Sequence, residues 1–235
     1  AQNMAEKGVK EINLIAQDTT MYGEDLSPGN SLEVLLERLL LIEGIEWIRI
    51  LYAHPMGISE RLLDIIEANE KICPYLDIPI QHVNREILKA MGRDNLKESP
   101  VQLIRRIKSR SRAISIRTSI MVGFPGETDD IFKELYDFVE ASEFDHLGTF
   151  IYSPEKGTRA ARLKYGIPEP EISEERLDSI MTLQKEISLK KNLKMVNRIV
   201  PVLVEGFSAE TDLLLTGRTA WMAPDVDGQV LINEG

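Results

Sequence analysis

The chain has 235 residues, a net charge of −10, 43 % hydrophobic and 28 % charged residues, and one cysteine, Cys73. That composition suits one large globular domain, or a medium domain with a small appendage. No apolar run approaches the ~18 residues of a membrane span, and a lone cysteine excludes an internal disulfide and fits a reducing cytoplasm.

The opening stretch, "AQNMAEKGVKEINLIAQ", reads as the tail of a helix entering a strand, so the chain is expected to begin partway into a fold. Strand-like and helix-like segments then alternate. Glu11–Ala16 is predicted as a strand and Ser31–Ile42 as a helix with Ser31 at its N-cap. Trp47–Leu51 follows as a strand and Ser59–Ala68 as a capped helix. Tyr75–Ile80 reads as a strand, Arg85–Met91 and Val101–Ser109 as helices, Ser115–Val122 as a strand, Asp129–Ala141 as a helix and His146–Tyr152 as a strand. A helix between successive strands is the βαβ signature of a parallel sheet.

The pattern changes near residue 166. "GIPEPEISEER" reads as a Pro- and Glu-rich linker opening a long helix, about Glu174 to Asn192. From Arg198 the chain turns into short β segments. The expected organisation is a barrel over residues 1–168, a linker and connecting helix over 169–196, and a truncated β module over 197–235. That last segment carries two arginines (Arg198, Arg218), no lysine and six acidic residues. An acidic module does not look like an RNA-binding surface and suits a basic protein partner.

Each of the five strands ends in a polar or turn-rich cluster: "AQDTTMYG", "YAHP", "DIPIQH", "VGFPGET" and "IYSPEKGT". Parallel strands in an α/β barrel present their C-terminal ends to one face, where active sites are built. In the fourth cluster, Gly123 and Gly126 would let backbone approach a flat or anionic ligand, with Pro125 fixing the turn and Glu127 at the helix entrance. The segment is neither a P-loop nor a dinucleotide fingerprint. Taken alone, a tight strand–helix turn explains it equally well. Within the strand before it, Arg117, Ser119 and Met121 share one face, while Thr118, Ile120 and Val122 share the other. The first face fits the lumen of an incomplete barrel, although the exposed bottom of the strand is an equally good place for Arg117.

His54 and His82 follow strands at the active face, whereas His146 opens a strand away from it. No third ligand or spacing motif makes these a zinc site, so hydrogen-bonding roles are expected. Asp77 and Gln81 flank one strand end and could bind a ribose or a substrate amide. Cys73 reads as a small buried hydrophobe. No lysine at a strand end supports a Schiff-base aldolase, and five intact clusters argue against a non-catalytic scaffold.

Taken together, "INLIAQDTTMYGEDL", "YAHP", "ICPYLDIPIQHVNREILKAMGR", "RTSIMVGFPGET" and "FIYSPEKGTRAA" resemble the radical S-adenosylmethionine methylthiotransferases over nearly the whole chain. "DIPIQH" and "AQDTTMYG" resemble the RimO-type branch, and the closing β module resembles a TRAM domain. The resemblance implies an α/β fold: a partial (β/α)6 barrel followed by a small, truncated β domain. It implies S-adenosylmethionine as cofactor, two 4Fe-4S clusters, an electron donor, and methylthiolation of the β-carbon of an aspartate in small-subunit ribosomal protein twelve. A MiaB-type enzyme acting on a modified adenosine of tRNA is the alternative. The resemblance implies cofactor contacts at Val122, Gly123, Phe124, Pro125, Gly126 and Glu127, with Gln17, Gln81 and Arg117 near the ribose or methionine. Asp18, Thr19, Tyr22, His54, Asp77, His82, Tyr152 and Ser153 are further pocket candidates. Cys73 matches none of the family's cluster ligands, which are expected upstream of Ala1, so the chain by itself is expected to be inactive. Direct nucleic-acid binding and membrane association are not expected.

Overall fold

The computed structural model describes residues 1–93, 95–163 and 165–234. After a short helix α1 (Gln2–Glu6), five strands alternate with helices: β1 (Glu11–Leu14), α2 (Leu32–Leu40), β2 (Trp47–Ile50), α3 (Glu60–Ala68), β3 (Ile72–Asp77), α4 (Arg85–Ala90), α5 (Pro100–Lys108), β4 (Ser115–Val122), α6 (Asp129–Ser142) and β5 (His146–Ile151). All four strand pairings are parallel and the sheet order is β1-β2-β3-β4-β5. A sequential parallel order puts every crossover on one face, as in a β/α barrel.

Local chemistry starts the helices where hydrophobic spacing places them. The Ser31, Ser59 and Thr128 hydroxyls accept the backbone N–H groups of Val34, Leu62 and Ile131. Ser99 and Gln102 form a reciprocal capping box, with Pro100 in the first turn. The apolar faces of these helices bury Leu36, Leu62, Ile66, Leu103, Ile107, Leu135 and Val139 against Ile48, Ile50, Ile72, Leu76, Ile116 and Ile120 of the strands. Each such side chain contributes roughly 1.5–3 kcal/mol of burial. In β4 the alternation is clean: Ile116, Thr118, Ile120 and Val122 are buried, while Arg117, Ser119 and Met121 remain partly open.

Two elements differ from their sequence-based prediction. Strand β3 begins at Ile72, before Pro74, because Pro74 sits in a bulge: β2 pairs Ile48 with Ile72 but Ile50 with Leu76. Pairing with β4 starts only at Tyr75, so the missing N–H breaks no ladder bond there. Beyond Asp77 the chain leaves regular strand geometry yet stays beside β4, with Ile78 N–H bonded to Arg117 O and Gln81 N–H to Ser119 O. The second difference is α7 (Pro170–Leu193), expected as a connecting helix. It packs on β5 and α6 and sends Ile180, Leu183 and Ile187 into the main core, so it is an outer helix of the barrel.

A separate antiparallel meander follows: β6 (Leu203–Phe207), β7 (Leu215–Arg218) and β8 (Val230–Ile232). Its 219–227 loop reaches the start of the parallel strands. Ala223 and Ala220 there pack with Cys73, Tyr75, Trp47 and Leu51. Among the described residues, no helix is long and apolar enough to cross a membrane.

Candidate active site at the strand ends

The lumen face of the sheet carries the residues that alternate away from the helix-packed core. Paired positions across parallel strands share a face, so Asn13 lies beside Arg49, Asp77 beside Arg117, and Ser119 beside Gly148. Met121 and Phe150 follow at the top, and Phe150 is exposed. The mouth is framed by two residues with left-handed backbone, Tyr52 (φ 53°) and Gln81 (φ 70°). Non-glycine residues in this region are strained and cluster at functional sites. Tyr52 directs its N–H toward Asp77 Oδ2 at 3.4 Å.

Asp77 is a buried lumen carboxylate. Burial pushes its carboxyl above the usual aspartate range and the Asp227 charge adds to this, while the Tyr52 N–H and the Arg117 charge pull it back. The neighbouring loop clusters are built on local bonds. Asp18 Oδ1 accepts the Thr20 N–H and hydroxyl at 3.0 and 2.6 Å, capping a short 3-10 turn. Buried Thr19 donates its hydroxyl to Leu51 O at 2.6 Å. His54 caps the next turn, its Nδ1 accepting the Met56 N–H. Burial and the nearby Arg93 charge lower its pKa, partly opposed by Asp18. Gln17, Tyr22 and Ser153 are exposed at the same rim.

Four groups of the candidate residues are engaged within the chain itself. Arg117 is bound at the base, its Nη1 2.6 Å from Asp227 Oδ1 and 3.2 Å from Val226 O, because the β module covers the start of β4. This is the bottom-of-strand position that competed with the lumen reading in the sequence. Glu127 and His82 both turn inward, with fully buried side chains. Arg176 of α7 donates to Glu127 Oε1 at 2.9 Å and to Asp129 at 2.7 Å, and His82 Nδ1 accepts the Val83 and Asn84 N–H groups. His82 Nε2 lies 3.7 Å from Glu127 Oε2, so this constellation locks the loops of β3 and β4 to α7. Val122 is core, facing the helices. Finally, the glycines of "GFPG" are required by the chain itself. A Cβ on Gly123 (φ +74°) would meet Ser173 Oγ at 2.5 Å, and Gly126 (φ +88°) bonds Gly166 O at 3.0 Å. Phe124 and Pro125 are buried, and Phe124 packs edge-on against Tyr152 at 5.0 Å.

Comparison with known proteins places the whole arrangement. The Radical SAM superfamily profile matches residues 1–139, more than half of the chain. The chain belongs to the radical SAM superfamily. The TRAM domain profile matches residues 196–235. Over all 235 residues the chain is 47 % identical to the ribosomal protein uS12 methylthiotransferase RimO of Geotalea uraniireducens (strain Rf4). It is 45 % identical to the RimO of Geobacter sulfurreducens (strain ATCC 51573 / DSM 12127 / PCA) over the same length. In both cases it covers 52 % of the relative, so the chain spans about half the length of these proteins. Coproporphyrinogen III oxidase (HemN) from Escherichia coli superposes with a TM-score of 0.51 at 21 % identity, over 66 % of this chain and 37 % of that one. The radical S-adenosylmethionine methyltransferase TsrM from Kitasatospora setae gives 0.50 at 15 % identity, over 64 % and 29 %. At these identities the two structures show the shared fold alone.

Superfamily membership implies S-adenosylmethionine and a 4Fe-4S cluster, and the residues present fit these two groups differently. The lumen face carries the polar residues Asn13, Asp77 and Ser119, with Phe150 exposed at its top, a mixture that matches a ligand that is part polar and part flat. Among the described residues no group of three or more His, Cys, Asp or Glu could hold a metal. Cys73 is buried and its thiol is pushed up to about 12, mainly by desolvation, so it is no thiolate donor. Sequence reasoning missed Tyr52, Asn13 and Asp227. Asn13 could have been found by extending the alternation of β1, whereas nothing in the sequence marks Asp227.

Proposed function

We propose that this chain is the barrel and β module of a RimO-type methylthiotransferase, which places a methylthio group on the β-carbon of an aspartate in ribosomal protein uS12. The observation that carries the reading is identity of 45–47 % over the full chain to proteins so named, a span that includes every lumen-facing strand. S-adenosylmethionine, when bound on the lumen face, would supply hydrogen-abstracting power. This chain's residues do the rest by position. Asn13, Ser119 and Gln81 orient the cofactor's polar groups, exposed Phe150 provides apolar surface, and the strand-end loops exclude water from the reacting centre. A second cluster, an electron donor and a cytoplasmic setting belong to the same proposal.

The charge of the β module supports a basic protein partner. Asp227 and Glu205 are engaged by Arg117 and Arg218, which leaves Glu210, Asp212, Asp225 and Glu234 exposed against Arg198. The full-length protein, anaerobically reconstituted with iron and sulfide, is to be given S-adenosylmethionine, a reductant and either uS12 or unmodified tRNA. The expected outcome is a methylthio mass gain on uS12 alone. A gain on tRNA alone overturns the substrate assignment, and absence of both the gain and 5′-deoxyadenosine overturns the reading.

A further inference from the structure

Two carboxylates compete for one arginine at the base of the lumen. Arg117 Nη1 stands 2.6 Å from Asp227 Oδ1, while its Nε is 4.0 Å from Asp77 Oδ1. Asp227 wins through company. Its Oδ2 accepts the Tyr75 hydroxyl and the Ala223 N–H, each at 2.8 Å, and His146 Nδ1 lies 3.2 Å from its Oδ1. The Asp227 side chain is wholly excluded from solvent. Val226 O takes a second bond from the same Arg117 nitrogen, so the β module holds the guanidinium twice. Asp77, by contrast, has the long contact from Tyr52 N–H and the 4.0 Å contact with Arg117, and its side chain is 10 % exposed.

We propose that Asp227 is a positioning residue: by taking Arg117 into its own close ion pair, it limits Asp77 to a 4.0 Å contact with that arginine and leaves Asp77 open to a hydrogen-bond donor on a ligand. The β module thereby completes the barrel floor and sets the charge state of the chamber above it. The upward shift of the Asp77 carboxyl agrees with this arrangement, since burial and the Asp227 charge raise it while Arg117 only partly offsets them. Without Asp227 the arginine is free to swing onto Asp77, turning the lumen carboxyl into one half of a closed salt bridge. The inference rests on the function proposed above only for the ligand's identity.

The test needs neither cofactor nor substrate, so failure of methylthio transfer leaves it decisive. Full-length protein labelled with carboxyl-13C aspartate is titrated by NMR, with the Asp77 resonance assigned by its loss in Asp77→Asn. The expected result is that Asp227→Asn lowers the Asp77 midpoint by about one unit, a tenfold change in ionisation. Arg117→Met should raise the midpoint more in the Asp227→Asn background than in the wild-type protein, because the arginine stands 4.0 Å from Asp77 in the wild type and closes on it only once Asp227 is replaced. Asp227→Ser serves as a second variant should the asparagine substitution misfold. His146→Asn loosens the same interface without freeing Arg117 and is expected to leave Asp77 unmoved. Additive shifts, an unchanged midpoint in Asp227→Asn, or an equal shift in His146→Asn would each overturn the inference.

Discussion

The two ends of the parallel sheet use the same residue types for opposite purposes. At the C-terminal ends, beside the buried His82–Glu127–Arg176 contact, polar side chains cap turns within their own loops. Asp18 and His54 cap local turns and leave the lumen face open. At the N-terminal ends, charges are spent across the chain. Glu11 bridges Arg49 and Arg218 at 2.7 Å each, and Arg49 also donates to Ala220 O and lies 4.9 Å over the Tyr75 ring. The comparison teaches that an open polar face marks a place for ligand, whereas a closed polar network marks a joint between modules. Buried charges are tolerated when every partner is in place and are costly when one is removed.

Breaking the joint should have the largest effect. Glu11→Ala strands Arg49, which has no solvent exposure, and leaves Arg218 only Glu205 as a carboxylate partner. A loss of about 3–5 kcal/mol in urea unfolding is expected, and a loss below about 1 kcal/mol would show the network to be dispensable. Arg176→Met comes next. It uncovers buried Glu127 beside His82 and should cost about 3 kcal/mol, with faster hydrogen exchange in the 123–129 loop as its local signature. Gly123→Ala is expected to cost about 2 kcal/mol, from left-handed backbone strain and the clash with Ser173. Adding Ser173→Gly should recover the clash and leave roughly 1 kcal/mol of strain.

The smallest effect sharpens the open end. Because the Asp77 carboxyl is raised in the fold, the unfolded chain releases that proton first as pH rises. Its contribution to stability therefore falls from the ordinary value of 3.8 up to the higher folded value and is flat beyond. Asp77→Asn should abolish that acid-range slope and change stability at neutral pH by no more than ~1 kcal/mol. An unchanged slope would show that Asp77 ionises in the fold as it does in the unfolded chain.

Much of the barrel was legible in its residues. The alternation Ile116, Thr118, Ile120, Val122 against Arg117, Ser119, Met121 announced both faces of β4, and Ser31, Ser59 and Thr128 announced helix starts. Pro74 concealed the start of β3, since a proline argues against a central strand unless a bulge absorbs it. The "GFPGE" turn read equally as a ligand cradle or a tight turn; its glycines pack against Ser173 and Gly166 and its glutamate against Arg176, all from a helix or loop more than 35 residues later.

By itself the sequence determined the alternating parallel architecture, the gathering of polar clusters at one end and the change to an antiparallel module. These follow from periodicity, caps and turn residues, which act over a few positions. Only the tertiary structure decided which charges face a ligand and which face another part of the chain. Arg117 and Asp227 are 110 positions apart, and His82, Glu127 and Arg176 come from three separate elements. Partners so distant meet only when burial of the apolar faces has brought their elements together, and that meeting determines what each charge can do.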